Sequence, residues 1–346
     1  MSERRLSPLF ELTRARVLEF VREPEAMFWE FAFPLLMAFA LGIAFRSRGQ
    51  EQVIAGVLDG PGAAALADTL KHTRGIAVTV VPADRAQAVL RNGDVQLIVV
   101  PGSPPTYRYD PVRTESRLAR LVVHEALMKA GGRVDPWTPR EDTVMVRGSR
   151  YIDWLIPGLL GMNIMGTGMW NIGFGIVQAR TRKLLKLLLA TPMRRTDYLL
   201  SHMLGRLTFL ALEVFALLTF AWIAFGVVVQ GSLVAVVVIA LIGAVSFSGL
   251  GLLVASRART VEGVSGMLNV VMMPMWLLSG VFFSSANFPD RAQPFIRVLP
   301  LTALIDALRG VMIDGASMVG VGVDLMILAA WGVTSFALAL TWFRWQ

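Results

Sequence analysis

The sequence predicts an α-helical membrane protein with six transmembrane helices and a small extracytoplasmic α/β domain between helices one and two. Three observations carry that expectation. Several runs of about 20 apolar residues are long enough to cross a hydrocarbon core, in a chain of 346 residues that is 55% hydrophobic, where soluble domains average about 45–50%. Residues 46–150, between the first run and the second, are charged and hold no apolar stretch of that length. Finally, the bases gather in Arg4–Arg22, Arg180–Arg195 and Arg257–Arg259 and at Arg344. Six crossings put all of these on one side, and short loops rich in Lys and Arg are cytoplasmic, so both termini are expected there.

Composition also removes several classes. The net charge of +8 sits beside apolar spans, where orientation and anionic lipid explain it better than nucleic acid does. With no cysteine, neither disulfides nor thiolate chemistry is possible. The histidines His72, His124 and His202 are scattered and form no HExxH. No GxxxxGK[ST] occurs, so this chain carries no P-loop ATPase. No catalytic residue and no metal ligand set is expected.

Taken in order, residues 1–25 read as a cytoplasmic amphipathic helix lying in the interface, with Leu9, Phe10, Val17, Phe20 and Val21 on one face and Arg14, Arg16 and Arg22 around it. Pro24 ends it and residues 26–45 form the first span, an uncleaved anchor, since no small-residue cleavage site follows. In residues 46–150, Gln52–Leu58, Ile76–Val81 and Val95–Val100 read as strands, with Ala63–His72 and Ala83–Leu90 as helices between them. That alternation predicts at least partly parallel pairing. A longer helix follows at Thr114–Lys129. His124 and Glu125 are neighbours in sequence, which sends them to different helix faces.

Residues 151–346 hold spans two to six. The second, Ile152–Val177, is rich in glycine and carries Asn163 and Asn171. Small residues permit close helix approach and asparagines hydrogen-bond across helices, so this segment is either a packing helix or one facing a pore or a dimer partner. The third, Tyr198–Val229, carries Glu213 near its middle. A carboxylate at bilayer depth costs about 2.5–3.5 kcal/mol, so Glu213 must face protein or water, as a polar clasp or in a transport path. Arg206, two turns earlier, is one possible partner. The fourth span is Leu233–Ala255; the fifth, Val264–Phe283, carries Asn269; the sixth is Val321–Phe343. Residues 284–317 are too polar to span and too apolar for a free loop, and read as re-entrant or interfacial short helices on the outer face.

The loop 178–197 joins spans two and three. It carries Arg180, Arg182, Lys183, Lys186, Arg194 and Arg195 against Asp197 alone, with Thr191-Pro192 stopping a short leucine-rich helix. Charge alone makes it topogenic. Its stretch KLLLATPMRRTDYLL, however, resembles the cytoplasmic signature of permeases of the type-2 ABC exporter family. The first segment, EFVREPEAMFWEFAFPLLMAFALGIAF, and the end-piece, MLNVVMMPMWLLSGVFFSSANFPDRAQPFIRVLPLTALIDALR, resemble that family as well. The departures are Lys186, where a glutamate is usual, Ser284, where proline is common, and Ala303, where tyrosine is common.

The resemblance implies a permease subunit of an ATP-driven exporter in the plasma (inner) membrane. Arg180, Arg182, Lys183, Lys186, Thr191, Pro192, Arg194 and Arg195 would form a coupling helix docked on a separate ABC ATPase subunit. That subunit would hold the ATP and magnesium; this chain would need no cofactor. A second permease subunit, identical or different, would complete the pathway within membrane lipid. Asn163, Asn171, Glu213 and Asn269 are the polar candidates for the pathway. The alternative is an ATPase-linked envelope protein that transmits conformational change without moving a substrate.

Overall fold

A computed structural model describes residues 14, 18, 21–45, 52–137, 140, 142, 148, 150–182 and 195–342, leaving aside the side chains of 26, 195–204, 206 and 208. The chain divides into two units: residues 47–144 form one, and residues 1–46 with 145–346 form the other.

In the first unit, β1 (Val53–Leu58), α2 (Ala63–Lys71), β2 (Ile76–Val81), α3 (Ala86–Asn92), β3 (Leu97–Val100), β4 (Thr106–Arg108) and α4 (Thr114–Ala130) follow a first helix, α1 (24–44), that belongs to the other unit. The sheet runs β2-β1-β3-β4. Pairing of β1 with β2 and with β3 is parallel, and β4 runs antiparallel to β3. Because both faces of the central strands are covered, the strands read as apolar runs rather than alternating ones. Val53, Ala55, Val57, Leu97 and Val99 face Ala67 and Leu70 of α2 and Ala119 and Val123 of α4. On the other side Val81 and Ile98 pack with Ala86 of α3. His124 meets the Tyr107 hydroxyl at 3.1 Å, while Glu125, on a different face, accepts from Lys129 Nζ at 2.6 Å. Strand β4 has three residues, too few to leave a periodic signal.

The second unit is a helix bundle. Its first helix, α1, runs as Pro24–Met27, a π-turn at Phe28–Ala32, and Phe33–Ala44. The others are α5 (Tyr151–Thr181), α6 (Arg195–Phe225), α7 (Leu233–Arg257), α8 (Val261–Leu278), α9 (Gln293–Val298), α10 (Pro300–Met312) and α11 (Gly322–Trp342). Among the described residues α7, α8 and α11 are long and apolar enough to cross a membrane, and the stretches Phe28–Ala44 and Phe209–Phe225 are shorter apolar helices. In α5, glycines and asparagines dilute the apolar content, yet this is the helix the bundle is built on: α1, α6, α7, α8 and α10 all pack against it. Its glycines are points of closest approach. A Cβ on Gly158 would stand 2.6 Å from the Val281 carbonyl oxygen, and one on Gly251 of α7 would stand 2.8 Å from that of Met169.

Two helices stop earlier than the apolar pattern suggests. The apolar run of α6 continues to Val229, but the helix ends at Phe225, where Gly226 takes φ +64° and its N–H returns to Trp222 O at 2.9 Å. This is the left-handed cap that glycine makes at no steric cost. In α8 the run continues to Phe283, but the helix ends at Leu278 and Gly280 has φ +76°. The segment 284–317 forms a short 3-10 turn, α9 and α10. Helix α10 is no surface helix within the bundle, since Leu301, Leu304, Ile305 and Leu308 are wholly buried.

Candidate functional site

The chemistry of the bundle lies at three levels along α5: its first turn, its middle, and its last turn with the loop beyond. At the first turn Arg150 grips Asp153 with two hydrogen bonds, Nε–Oδ2 at 2.8 Å and Nη2–Oδ1 at 2.6 Å. Its Nη1 also donates to Phe225 O at 2.8 Å. The last carbonyls of a helix have no partner within it and carry partial negative charge. Arg150 therefore neutralises a buried aspartate and caps α6 at once. Nearby, Arg309 of α10 donates to Gly280 O at 2.6 Å, just past the end of α8, and lies 3.7 Å over the Trp154 ring of α5. Between α6 and α7, the N–H groups of Gln230 and Gly231 serve the last carbonyls of α10, Met312 O and Val311 O, both at 3.0 Å.

The middle level holds buried polar groups. Asn163 Nδ2 donates to Glu30 O at 3.1 Å. The reason lies in α1: proline has no N–H and its ring crowds the carbonyl four residues back, and four residues before Pro34 is Glu30. The π-turn opens the helix there, and Asn163 of α5 supplies a donor. Glu30 is itself buried, 4% exposed, and Glu213 of α6 is 2% exposed. A Cβ on Gly42 would meet the Phe225 ring at 2.5 Å. Counted back from that contact, Glu30 and Glu213 each lie twelve residues away, about 18 Å along their helices, so the two carboxylates share one depth. The remaining pathway candidates, Asn171 and Asn269, are exposed on α5 and α8.

At the last turn, Arg180 Nη1 donates to Ala258 O at 2.7 Å and Ala255 O at 3.2 Å. It thus caps α7 as Arg150 caps α6. Arg182 is exposed. Lys183, Lys186, Thr191, Pro192 and Arg194 lie outside the described residues; Arg195 opens α6 but its side chain, like that of Arg206, is not described. Of the coupling candidates, then, the structure gives Arg180 a place inside the bundle and leaves Arg182 facing outward. Sequence reasoning missed Glu30, Arg150 and Arg309. A signal existed for the first, a polar residue four positions before a proline in an apolar run. For Arg150 the signal was its spacing of three from Asp153, which shows the ion pair but not the cap on α6; for Arg309 none existed, because its partners are distant in sequence. Among the described residues no three His, Asp or Glu side chains gather as a metal site would require.

A helix bundle in which α7, α8 and α11 are, among the described residues, long and apolar enough to cross a membrane is that of an integral membrane protein. The sequence pattern described as ABC-2 type transporter matches residues 126–313, and the chain belongs to that family. It is similar to ABC transporter G family member 20 of Dictyostelium discoideum, with 26% identity over 53% of this chain and 25% of the relative. It is also similar to nodulation protein J of Rhizobium meliloti, with 34% identity over 32% of this chain and 42% of the relative. With the inner membrane transport permease YadH of Escherichia coli K12 it shares 26% identity over 47% of this chain and 64% of the relative. The matched part thus falls short of two thirds of each of these relatives.

Proposed function

We propose that this chain is the membrane-spanning permease subunit of an ATP-driven ABC exporter, crossing the inner membrane six times with both termini in the cytoplasm. The observation that carries the reading is α5. This helix extends about 45 Å, packs against five other helices, and enters the basic segment 178–197, whose first residues it holds to Thr181 and whose last residues, from Arg195, belong to α6. A displacement at that loop would pass along one continuous helix, which carries Pro157 in its second turn, toward the opposite end of the bundle. The loop is the coupling element, docked on a separate ATPase subunit that holds ATP and magnesium; a second permease subunit completes the pathway. ATPase closure biases a two-state bundle through differential contacts at the loop. The region 46–150 lies outside the membrane, residues 1–25 lie on its cytoplasmic face, and 284–317 forms the outer re-entrant segment. Glu30, Asn163 and Glu213 are the buried candidates for the pathway at its middle level, with Asn171 and Asn269 exposed.

Single cysteines test the topology against a background that has none. Those at Ser103 and Ser285 should react with an impermeant thiol reagent applied to intact cells, and those at Ser2 and Thr196 should not. Protection of position 103 would remove the six-span topology. Co-purification of an ATPase whose hydrolysis rises with a candidate substrate would separate an exporter from a subunit that only transmits a conformational change.

A further inference from the structure

Helices α5 and α11 both pack on α7, and the three line a groove of about 670 Å3. Its walls are apolar, among them Ile176 of α5, Val245 and Leu252 of α7, and Val333, Phe336 and Leu340 of α11. Of its polar neighbours, Ser246 is already engaged, donating through Oγ to Leu328 O at 2.6 Å. Such a lining offers a polar ligand little in exchange for its hydration.

We propose that the groove seats one acyl chain of an anionic phospholipid from the surrounding bilayer, with the lipid phosphate against Arg257. Length supports this. The lining runs from Ala329 to Leu340 on α11 and from Leu241 to Leu252 on α7, about 16 Å on each helix. That is half of a hydrocarbon core about 30 Å thick, the depth of one leaflet. Charge supports it too. Arg257 is exposed about 7 Å beyond Leu252 along α7. Its guanidinium lies 4.9 Å over the Trp342 ring, just past Leu340, so the ends of α7 and α11 meet there. Exposed Arg259 follows. A tryptophan and a cation at the rim of a leaflet-deep apolar groove match a phosphate above an acyl chain. The inference needs α7 and α11 to cross a bilayer and does not depend on whether the protein exports anything.

The test uses the full chain in nanodiscs of equal parts phosphatidylglycerol and phosphatidylcholine, released and weighed by native mass spectrometry. Wild-type protein should keep one lipid per chain, mostly phosphatidylglycerol. Ala337→Trp, which fills the groove from the exposed Ala337, should keep none. Arg257→Gln leaves the groove open, so it should keep a lipid but lose about fivefold in preference for phosphatidylglycerol, the factor one arginine near an anionic surface is worth. Wild-type lipid retention by a folded Ala337→Trp protein overturns the proposal, as does an unchanged preference in Arg257→Gln. The second result decides alone if Ala337→Trp fails to fold. Disulfide-linked dimers of Ala337→Cys in native membranes also overturn it, because a second copy then fills the groove.

Discussion

The two ends of α5 carry arginines put to different use. At the first turn, Arg150 is paired with Asp153 and capped onto α6, and Arg309 joins the end of α8 to Trp154. The cations there act within the fold. At the last turn Arg180 does the same for α7 and Arg257 lies over Trp342 of α11, but Arg182 and Arg259 are exposed, and the loop beyond adds Lys183, Lys186, Arg194 and Arg195. One end fastens helices to each other. The other has more positive charge than the helices need, and that excess is available to orient the chain and to meet a partner.

The contrast makes graded predictions, measured as thermal stability of purified protein in one detergent. Arg309→Ala should cost most, about 3 kcal/mol, since it removes charge-assisted hydrogen bonds and a stacked tryptophan together. Arg150→Ala should cost about 2 kcal/mol, and adding Asp153→Asn should recover part of the loss, because the single change leaves a buried carboxylate without its cation. Asn163→Ala should cost about 1 kcal/mol, the scale of a hydrogen bond between helices in a membrane. Arg182→Gln should stay within about 0.5 kcal/mol of wild type, as surface changes do. A loss at Arg182 equal to that at Arg150 would break the contrast.

Much of this was legible in the sequence, for reasons that can be named. The strands β1, β2 and β3 show as apolar runs with helical stretches between them, bounded by glycine and proline, so at least partly parallel pairing follows from pattern, whereas the sheet order β2-β1-β3-β4 does not. Glu213 and Asn163 stand out as polar residues in apolar surroundings, and both are buried. Helix ends were less legible. Apolar composition runs on past Phe225 and Leu278, whereas the backbone turns at Gly226 and Gly280. The burial of α10 was hidden because Asp306 and Arg309 make its sequence look interfacial. The arginine caps were hidden altogether: Arg150 reaches Phe225, and Arg180 reaches Ala258, by contacts that only the packed bundle brings together.

The account rests on the loop after α5 being the point where an ATPase acts. Leu184, Leu185, Leu187 and Leu188 share a short segment with Lys183 and Lys186. Such a pattern suits an apolar face in a protein groove, with a basic face that steers an acidic partner. The direct measurement is ATPase co-purification and coupled export by a Lys183→Glu, Lys186→Glu double variant. Insertion and thermal stability should be unchanged, since Arg180, Arg182, Arg194 and Arg195 still hold orientation, while ATPase recovery falls and hydrolysis runs without export. Full ATPase binding together with full export by the double variant would make the loop topogenic only and contradict the account.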